Sequence, residues 1–319
     1  MKDTRLYIVI PCYNEEEVLP ETAKRIGALL TAMEERGRIS PESRIVFVDD
    51  GSRDATWRII ADLAAGDRRM QGIKLARNAG HQNALLAGLM AVRSRCDCCI
   101  SIDADLQDDI QAIEAFVAKF DDGCDVVYGV RSRRQSDTRF KRATARGFYK
   151  FMRLLGADVV EDHADYRLMS KRALDALAEF PEVNLFLRGM VRLVGFQSGE
   201  VYYERAERFA GESKYPLKKM LSFAFDGITS FSIKPIRLVW GLGVAVCFLA
   251  VLAAVYTLCA RFFGVSVTGW SSLMISIWFL GGVQLVSVGV IGEYIGKIYK
   301  EVKRRPRYII EENTLEKLQ

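Results

Sequence analysis

A chain of 319 residues has room for about two domains. Its formal net charge of +5, from 45 Lys and Arg against 40 Asp and Glu, is too balanced for a nucleic-acid-binding protein, so no nucleic-acid partner is expected. Of seven cysteines, Cys96, Cys98 and Cys99 crowd together without a His or a second Cys pair at metal spacing, which argues against a zinc site and for reduced thiols in a cytosol-facing domain.

The first apolar run, Leu6 to Ile10, is too short for a secretion signal and reads as a strand closed by Pro11. A helix is predicted from Glu15 to Arg36, with Glu15, Glu16 and Glu17 in its first turn, where the helix dipole favours acids. Arg44 to Val48 is a second strand and ends in Asp49-Asp50-Gly51-Ser52. Ile73 to Ala76 is a third, and Asn78-Ala79-Gly80 leads into an Ala/Leu-rich helix through Val92. The fourth strand carries Cys99 to Ile102 into Asp103-Ala104-Asp105, and Asp125 to Gly129 is the fifth. Strands alternating with helices of this length predict an α/β fold, a mostly parallel sheet with helices on both faces. Neither a Gly-x-Gly-x-x-Gly after the first strand nor a P-loop is present, so the dinucleotide and P-loop folds are unsupported.

The character changes near residue 235. Residues 238–260 and 270–292 carry no charge, and at 1.5 Å per residue each run forms a helix of roughly 34 Å, enough for a hydrocarbon core of about 30 Å. Lys234 and Arg237 precede the first run, and Lys297, Lys300, Lys303, Arg304, Arg305 and Arg307 follow the second. This predicts a two-helix membrane hairpin with both ends in the cytoplasm, anchored at the interface by Trp240 and Trp270. Tyr215 to Ser232 mixes apolar residues at helical spacing with lysines and reads as amphipathic interfacial helices.

The chemistry is expected at the carboxyl ends of the strands, where open α/β sheets bind their ligands. In a strand, Asp103 and Asp105 point the same way, so one cation or one ligand can meet both. Glu15, Asp49 and Asp50 would join them, and five gathered carboxylates repel unless they share a cation or bind ligand hydroxyls and N–H groups. His81, after Gly80 at a helix start, reads as a capping or packing residue.

This series of motifs resembles the inverting family-two glycosyltransferases of the GT-A fold, a Rossmann-like architecture. Within them it is similar to the polyprenyl-phosphate glycosyltransferases, above all the bacterial bactoprenol glucosyltransferases, with dolichol-phosphate mannose synthase as a relative. The resemblance extends to Asp165-Tyr-Arg-Leu-Met-Ser170, Arg208-Phe-Ala-Gly-Glu-Ser-Lys214 and Gly292-Glu-Tyr-Ile-Gly-Lys297. It implies a catalytic domain over 1–212, interfacial helices over 213–235, the hairpin over 236–296 and a basic cytoplasmic tail over 297–319. Carried over by position, it places Pro11, Tyr13, Glu15, Asp49, Asp50 and Asp103 around the nucleotide sugar, and Mg²⁺ or Mn²⁺ on Asp105 and Gln107. It puts Asp165, Arg131 and Arg167 at the reacting centre, and Arg208, Ser213 and Lys214 on the acceptor phosphate. The implied reaction moves a hexose, glucose from UDP-glucose, to undecaprenyl phosphate at the bacterial inner membrane, in a homo-oligomer of four copies. GDP-mannose or a UDP-aminoarabinose derivative are rival donors. A membrane-anchored nucleotide-sugar-binding protein without turnover is the alternative from another class.

Overall fold

The computed structural model describes residues 3–131, 163–183, 185–206, 232–262 and 269–318. Two compact units divide the chain: residues 1–142, 160–214 and 305–319 form one, and residues 143–159 and 215–304 the other.

The first unit is an eight-stranded sheet. In chain order it holds β1 (Leu6–Cys12), α1 (Leu19–Glu35), β2 (Arg44–Asp49), α2 (Thr56–Gly66), β3 (Met70–Leu75), α3 (His81–Val92), β4 (Cys98–Ser101), α4 (Ala112–Asp121) and β5 (Val126–Arg131). Then come β6 (His163–Ser170), α5 (Lys171–Ala178), α6 (Leu187–Leu193), β7 (Ser198–Tyr203), and, at the far end of the chain, β8 (Ile310–Asn313) with a 3₁₀ turn at Thr314–Leu318. The strand order is β7-β5-β6-β4-β1-β2-β3-β8. β1 pairs in parallel with β2 and β4, and β2 with β3, while β6 and β8 run antiparallel to their neighbours. The result is a mostly parallel mixed sheet, as the strand–helix alternation predicts.

β1 is buried along its whole length because both sheet faces are covered. Leu6, Ile8 and Ile10 pack with Ile45 and Phe47 against α1, α2 and α4. Tyr7 and Val9 face the other way, with Val46 and Val48, against α3, α5 and α6. α3 lies so close that a Cβ on Gly88 would fall 2.4 Å from Val9 Cγ1 and 2.7 Å from Val48 Cγ2. This double layer leaves the strand ends as the open edge.

One helix starts later than its charge pattern predicts. α1 begins at Leu19, so Glu15, Glu16 and Glu17 precede it and only Glu21 lies in its first turn. The reason is local. Val18 and Leu19 N–H groups donate to the Glu15 carbonyl at 3.1 and 2.9 Å, and Pro20 occupies the first turn, where its missing N–H leaves no gap. The preceding loop is instead pinned to the turn after β2: Asn14 N–H donates to Ser52 Oγ, Glu15 N–H to Thr56 Oγ1 and Glu16 N–H to Asp54 Oδ2.

The second unit contains α7 (Lys234–Phe262, 29 residues) and α8 (Trp270–Lys303, 34 residues), both long and apolar enough to cross a membrane. The apolar side chains described on them are largely outward-facing rather than core-packed, with Trp240 73% and Leu285 75% exposed. A water-soluble helix pair would bury such a face, so an apolar solvent is the environment these helices fit. Tyr294 donates its hydroxyl to the Ser232 carbonyl, joining the base of the hairpin. The amphipathic segment expected over 213–235 lies outside the described residues up to residue 231, and α7 itself begins at Lys234. Residues 297–319, expected as a basic tail, divide in two: α8 continues to Lys303, and residues 305–319 belong to the first unit, where β8 pairs with β3.

Candidate active site

The carboxyl ends of β4, β1 and β2 lie side by side, and each delivers an acidic turn. At the end of β2, Asp49 is fully buried; its Oδ1 accepts from Ser52 N–H at 3.3 Å, while Oδ2 has no partner among the described residues. Asp50, 2% exposed, behaves differently. Its Oδ1 accepts from Ala79 N–H at 2.6 Å and its Oδ2 from Gly80 N–H at 3.0 Å, so both oxygens brace the loop before α3. Asp50 thus holds the scaffold with both oxygens, whereas Asp49 keeps one oxygen without a partner among the described residues. Burial pushes both carboxyls up, the more costly state being the ionised one. Pro11 lies one residue before the end of β1, opposite Val48, Tyr13 is exposed just past that end, and Glu15 heads the loop toward α1.

The turn after β4 is tightly wound. Leu106 takes a left-handed conformation, and Asp105 Oδ1 accepts from Gln107 N–H at 3.2 Å. Gln107 is held from the other side, since its side-chain oxygen accepts from Arg205 and its carbonyl from Ala206 N–H. Asp108, absent from the expected set, is nearly buried and accepts from Tyr203 Oη at 2.6 Å and Arg131 Nη2 at 3.3 Å. Arg131 also donates to Tyr203 Oη at 3.3 Å, so it is positioned by the Asp108–Tyr203 pair at the end of β5.

The antiparallel β6 starts where β4 ends, which brings Asp165 to the same edge. Asp165 and Arg167 share a face of that strand by their i, i+2 spacing, and Arg167 Nη2 donates to Asp165 Oδ1 at 2.5 Å. Arg188, in the first turn of α6, adds a forked contact, with Nε and Nη2 each 3.1 Å from the two carboxylate oxygens. His81 Nε2 lies 3.6 Å from both Asp165 Oδ2 and Asp103 Oδ1. Burial opposes ionisation of Asp165, yet His81, Arg167 and Arg188 overcome it and hold its carboxyl well below the usual carboxylate range. Burial likewise pulls His81 down, and Asp165 and Asp103 more than offset this and raise it. Arg167 is 3% exposed, and burial lowers its pKa against the pull of Asp165.

Thus the structure gathers Asp103, Asp105, Asp165 and Arg167, brings Arg131 in through Asp108, and adds His81 and Arg188. His81 had a legible signal, as one of two histidines at a strand–helix loop; its partners Asp103 and Asp165 are distant in sequence. Arg188 had none. Arg208, Ser213 and Lys214 lie outside the described residues.

Burial pushes the Asp103 carboxyl up to about 6; His81 pulls it back, while Asp165, Asp108 and Asp105 add to the rise. A carboxyl whose pKa is raised by folding favours the folded state while protonated, and that contribution is lost as pH climbs from the model-peptide value of 3.8 through about 6. Asp103→Asn is therefore expected to raise the Tm of the metal-free protein only slightly near neutral pH, because water reaches the 35%-exposed side chain and screens it, and the gain vanishes toward pH ~4. Thermal melts in EDTA across that range measure it, and a pH-independent difference would contradict the assignment.

The residues fit a divalent cation of one particular kind. Among the described residues no group of three His, Cys, Asp or Glu side chains converges to hold a metal. Gln107's amide oxygen already faces a guanidinium, which makes it a poor cation ligand and sets it apart from Asp105. A cation carried in on a diphosphate, with water and one or two carboxylates completing its shell, suits this arrangement better than a protein cage.

Glycosyl transferase family 2 matches residues 7–178, and the GtrB C-terminal hairpin matches residues 234–298. The chain is a glycosyltransferase and belongs to glycosyl transferase family 2. Among individual relatives, the uncharacterized glycosyltransferase YkoT of Bacillus subtilis is 55% identical over 96% of this chain and 91% of its own. The SfII prophage-derived bactoprenol glucosyl transferase of Shigella flexneri is 41% identical over 97% of this chain and 98% of its own. The prophage bactoprenol glucosyl transferase homolog of Escherichia coli is 41% identical over 96% and 98%. A solved structure, glucosyl-3-phosphoglycerate synthase of Mycobacterium tuberculosis, is more distant, at 19% identity and a TM-score of 0.48 over 71% of this chain and 76% of its own.

Proposed function

We propose that this chain transfers a hexose, glucose from UDP-glucose, to a polyprenyl phosphate, undecaprenyl phosphate, at the cytoplasmic face of the inner membrane, with inversion at the sugar carbon. The observation that carries the reading is the joining of a family-two catalytic sheet to a membrane-length hairpin in one chain, an arrangement shared end to end with relatives named for bactoprenol glucosyl transfer.

The acceptor needs no dedicated base. A lipid phosphate has a second pKa of about 6, so near neutral pH its oxygen is already anionic. That oxygen attacks the anomeric carbon as the bond to the diphosphate oxygen breaks, and the nucleoside diphosphate leaves with the electron pair. The protein supplies position and charge neutralisation. Asp49 and Glu15 hold the nucleoside, Asp103 lies between it and the reacting centre, and Arg188, fixed by Asp165 beside the buried Arg167, presents positive charge to the meeting phosphates. Asp105 would hold a divalent cation, Mg²⁺ or Mn²⁺, which would supply charge neutralisation for the leaving diphosphate.

Transfer of radiolabelled sugar from a panel of nucleotide sugars to polyprenyl phosphate in detergent tests the reading. Label from UDP-glucose alone supports it; label from GDP-mannose alone changes the donor; no label with any donor leaves the non-catalytic alternative. On the acceptor side, Arg208→Ala and Lys214→Ala should raise the acceptor KM or lower kcat by about ten- to a hundredfold, equivalent to about 1.5–3 kcal/mol, while UDP affinity stays nearly constant. Collapse of UDP affinity instead would move both residues to the donor site. The flanking lysines and arginines favour both chain ends in the cytoplasm. Single cysteines at 264–269 should then label with an impermeant maleimide from outside intact cells, and cysteines after Lys303 should not.

A further inference from the structure

The C-terminal segment takes no part in the chemistry above, yet it is built into the sheet at the nucleotide end of the cleft. The chain leaves α8 at Lys303 and by Ile310 has entered β8. β8 pairs antiparallel with β3, matching Ile73 with Asn313, Lys74 with Glu312 and Leu75 with Ile310. Side chains and flanking backbone extend this pairing at both ends. Gly72 N–H donates to Thr314 Oγ1 at 2.8 Å, and the Thr314 hydroxyl donates to Gln71 Oε1 at 2.7 Å. Ala76 N–H donates to the Ile309 carbonyl at 2.9 Å. Lys74 Nζ lies 3.2 Å from Glu311 and 3.6 Å from Glu312, and Leu315, 1% exposed, joins the core on the α3 face.

The Ala76–Ile309 bond sits immediately before residues 77–80, the loop on which the site turns. Ala79 and Gly80 donate to Asp50, and residues 77 and 78 are packed so tightly on Gly51 that a Cβ there would lie 2.6 Å from Asn78 N. The next residue, His81, faces Asp103 and Asp165, and Gln82 Oε1 accepts from Leu187 N–H at 3.1 Å, next to Arg188. One short loop therefore sets the turn after β2, the histidine at the reacting centre and the start of α6. Its inner side leans on β2. Its outer side is steadied through β3 by β8, without which Gly72 and Ala76 would present unpaired N–H groups at a sheet edge.

We propose that residues 309–315 are positioning residues of the nucleotide-sugar site: by closing the outer edge of β3 they hold the 77–80 loop where Asp50, His81 and Asp103 need it. Donor binding thus depends on the segment that follows the last membrane-length helix. This rests on the nucleotide-sugar reading of the cleft.

The test uses the full chain in detergent, a chain ending at Tyr308, which keeps the Arg307 contact to the Phe180 carbonyl, and the pair Thr314→Val and Thr314→Ser. UDP affinity with Mn²⁺ is measured by calorimetry, and donor and acceptor KM by transfer assay, each well below the variant's own Tm. The shortened chain should bind UDP about tenfold more weakly with a donor KM about tenfold higher, and Thr314→Val about threefold in each, with acceptor KM unchanged and Thr314→Ser close to the original. Hydrogen exchange should quicken at residues 76–82 and not in β1. If the shortened chain does not fold, the Thr314 pair decides. UDP affinity unchanged in Thr314→Val, or donor and acceptor KM rising together, overturns the proposal. Failure of the unaltered chain to bind UDP overturns the nucleotide-sugar reading, and this proposal with it.

Discussion

Asp165→Asn should cost both activity and fold. The carboxylate receives Arg167 and a forked contact from Arg188, with His81 on its remaining side. Asparagine has nearly the same shape but no charge, and its amide NH₂ would point a donor at a guanidinium or imidazole donor. Arg167 then remains as a buried charge without its carboxylate, and its Nε–H already has no partner among the described residues. Breaking a buried pair from one side costs about 3–5 kcal/mol. For a unit of this size that lowers Tm by roughly 6–20 °C. Transfer should fall at least about a hundredfold even where the protein stays folded, because Arg188 loses the group that aims it. Scanning calorimetry and transfer rates measured below the new Tm check this. A Tm within about 2 °C of the original would mean the arginines find other partners, against the buried-pair cost assumed here.

Asp105→Asn should separate the same two effects. Asparagine can still accept from Gln107 N–H, so the turn after β4 and the Tm should hold. What disappears is the anionic ligand for a cation on the departing diphosphate. Losing one transition-state charge stabiliser is worth about a hundredfold or more in rate. EDTA should produce a loss of the same order in the unaltered protein, reversed by Mg²⁺ or Mn²⁺, and should add little in Asp105→Asn. Full transfer in EDTA would sink the metal assignment outright.

Much of this was legible in the residues. Strands β1 to β5 announce themselves because buried parallel strands are short apolar runs between turn residues, and that signal is local. The acidic turns after β1, β2 and β4 follow from the same reading, since strand ends are where an open sheet offers its edge. The two membrane-length runs are local too: a hydrocarbon slab sets a length, and residues 238–260 and 270–292 meet it.

Tertiary structure decided the rest, because periodicity tells which way a side chain faces and not what it meets. Asp49 and Asp50 are adjacent and chemically identical, yet among the described residues one is left with an unpartnered oxygen and the other is bound by Ala79 and Gly80 from a different loop. β6 enters between β4 and β5, and only that insertion brings Asp165 and Arg167 beside Asp103. Arg188 and His81 reach the same carboxylate from two helices far apart in the chain. β8, reading Ile-Glu-Glu-Asn and mostly exposed, lacks the apolar alternation that marks a strand. It is one because β3 offers it an edge, a fact held by hydrogen bonds across more than two hundred residues and by no pattern within four.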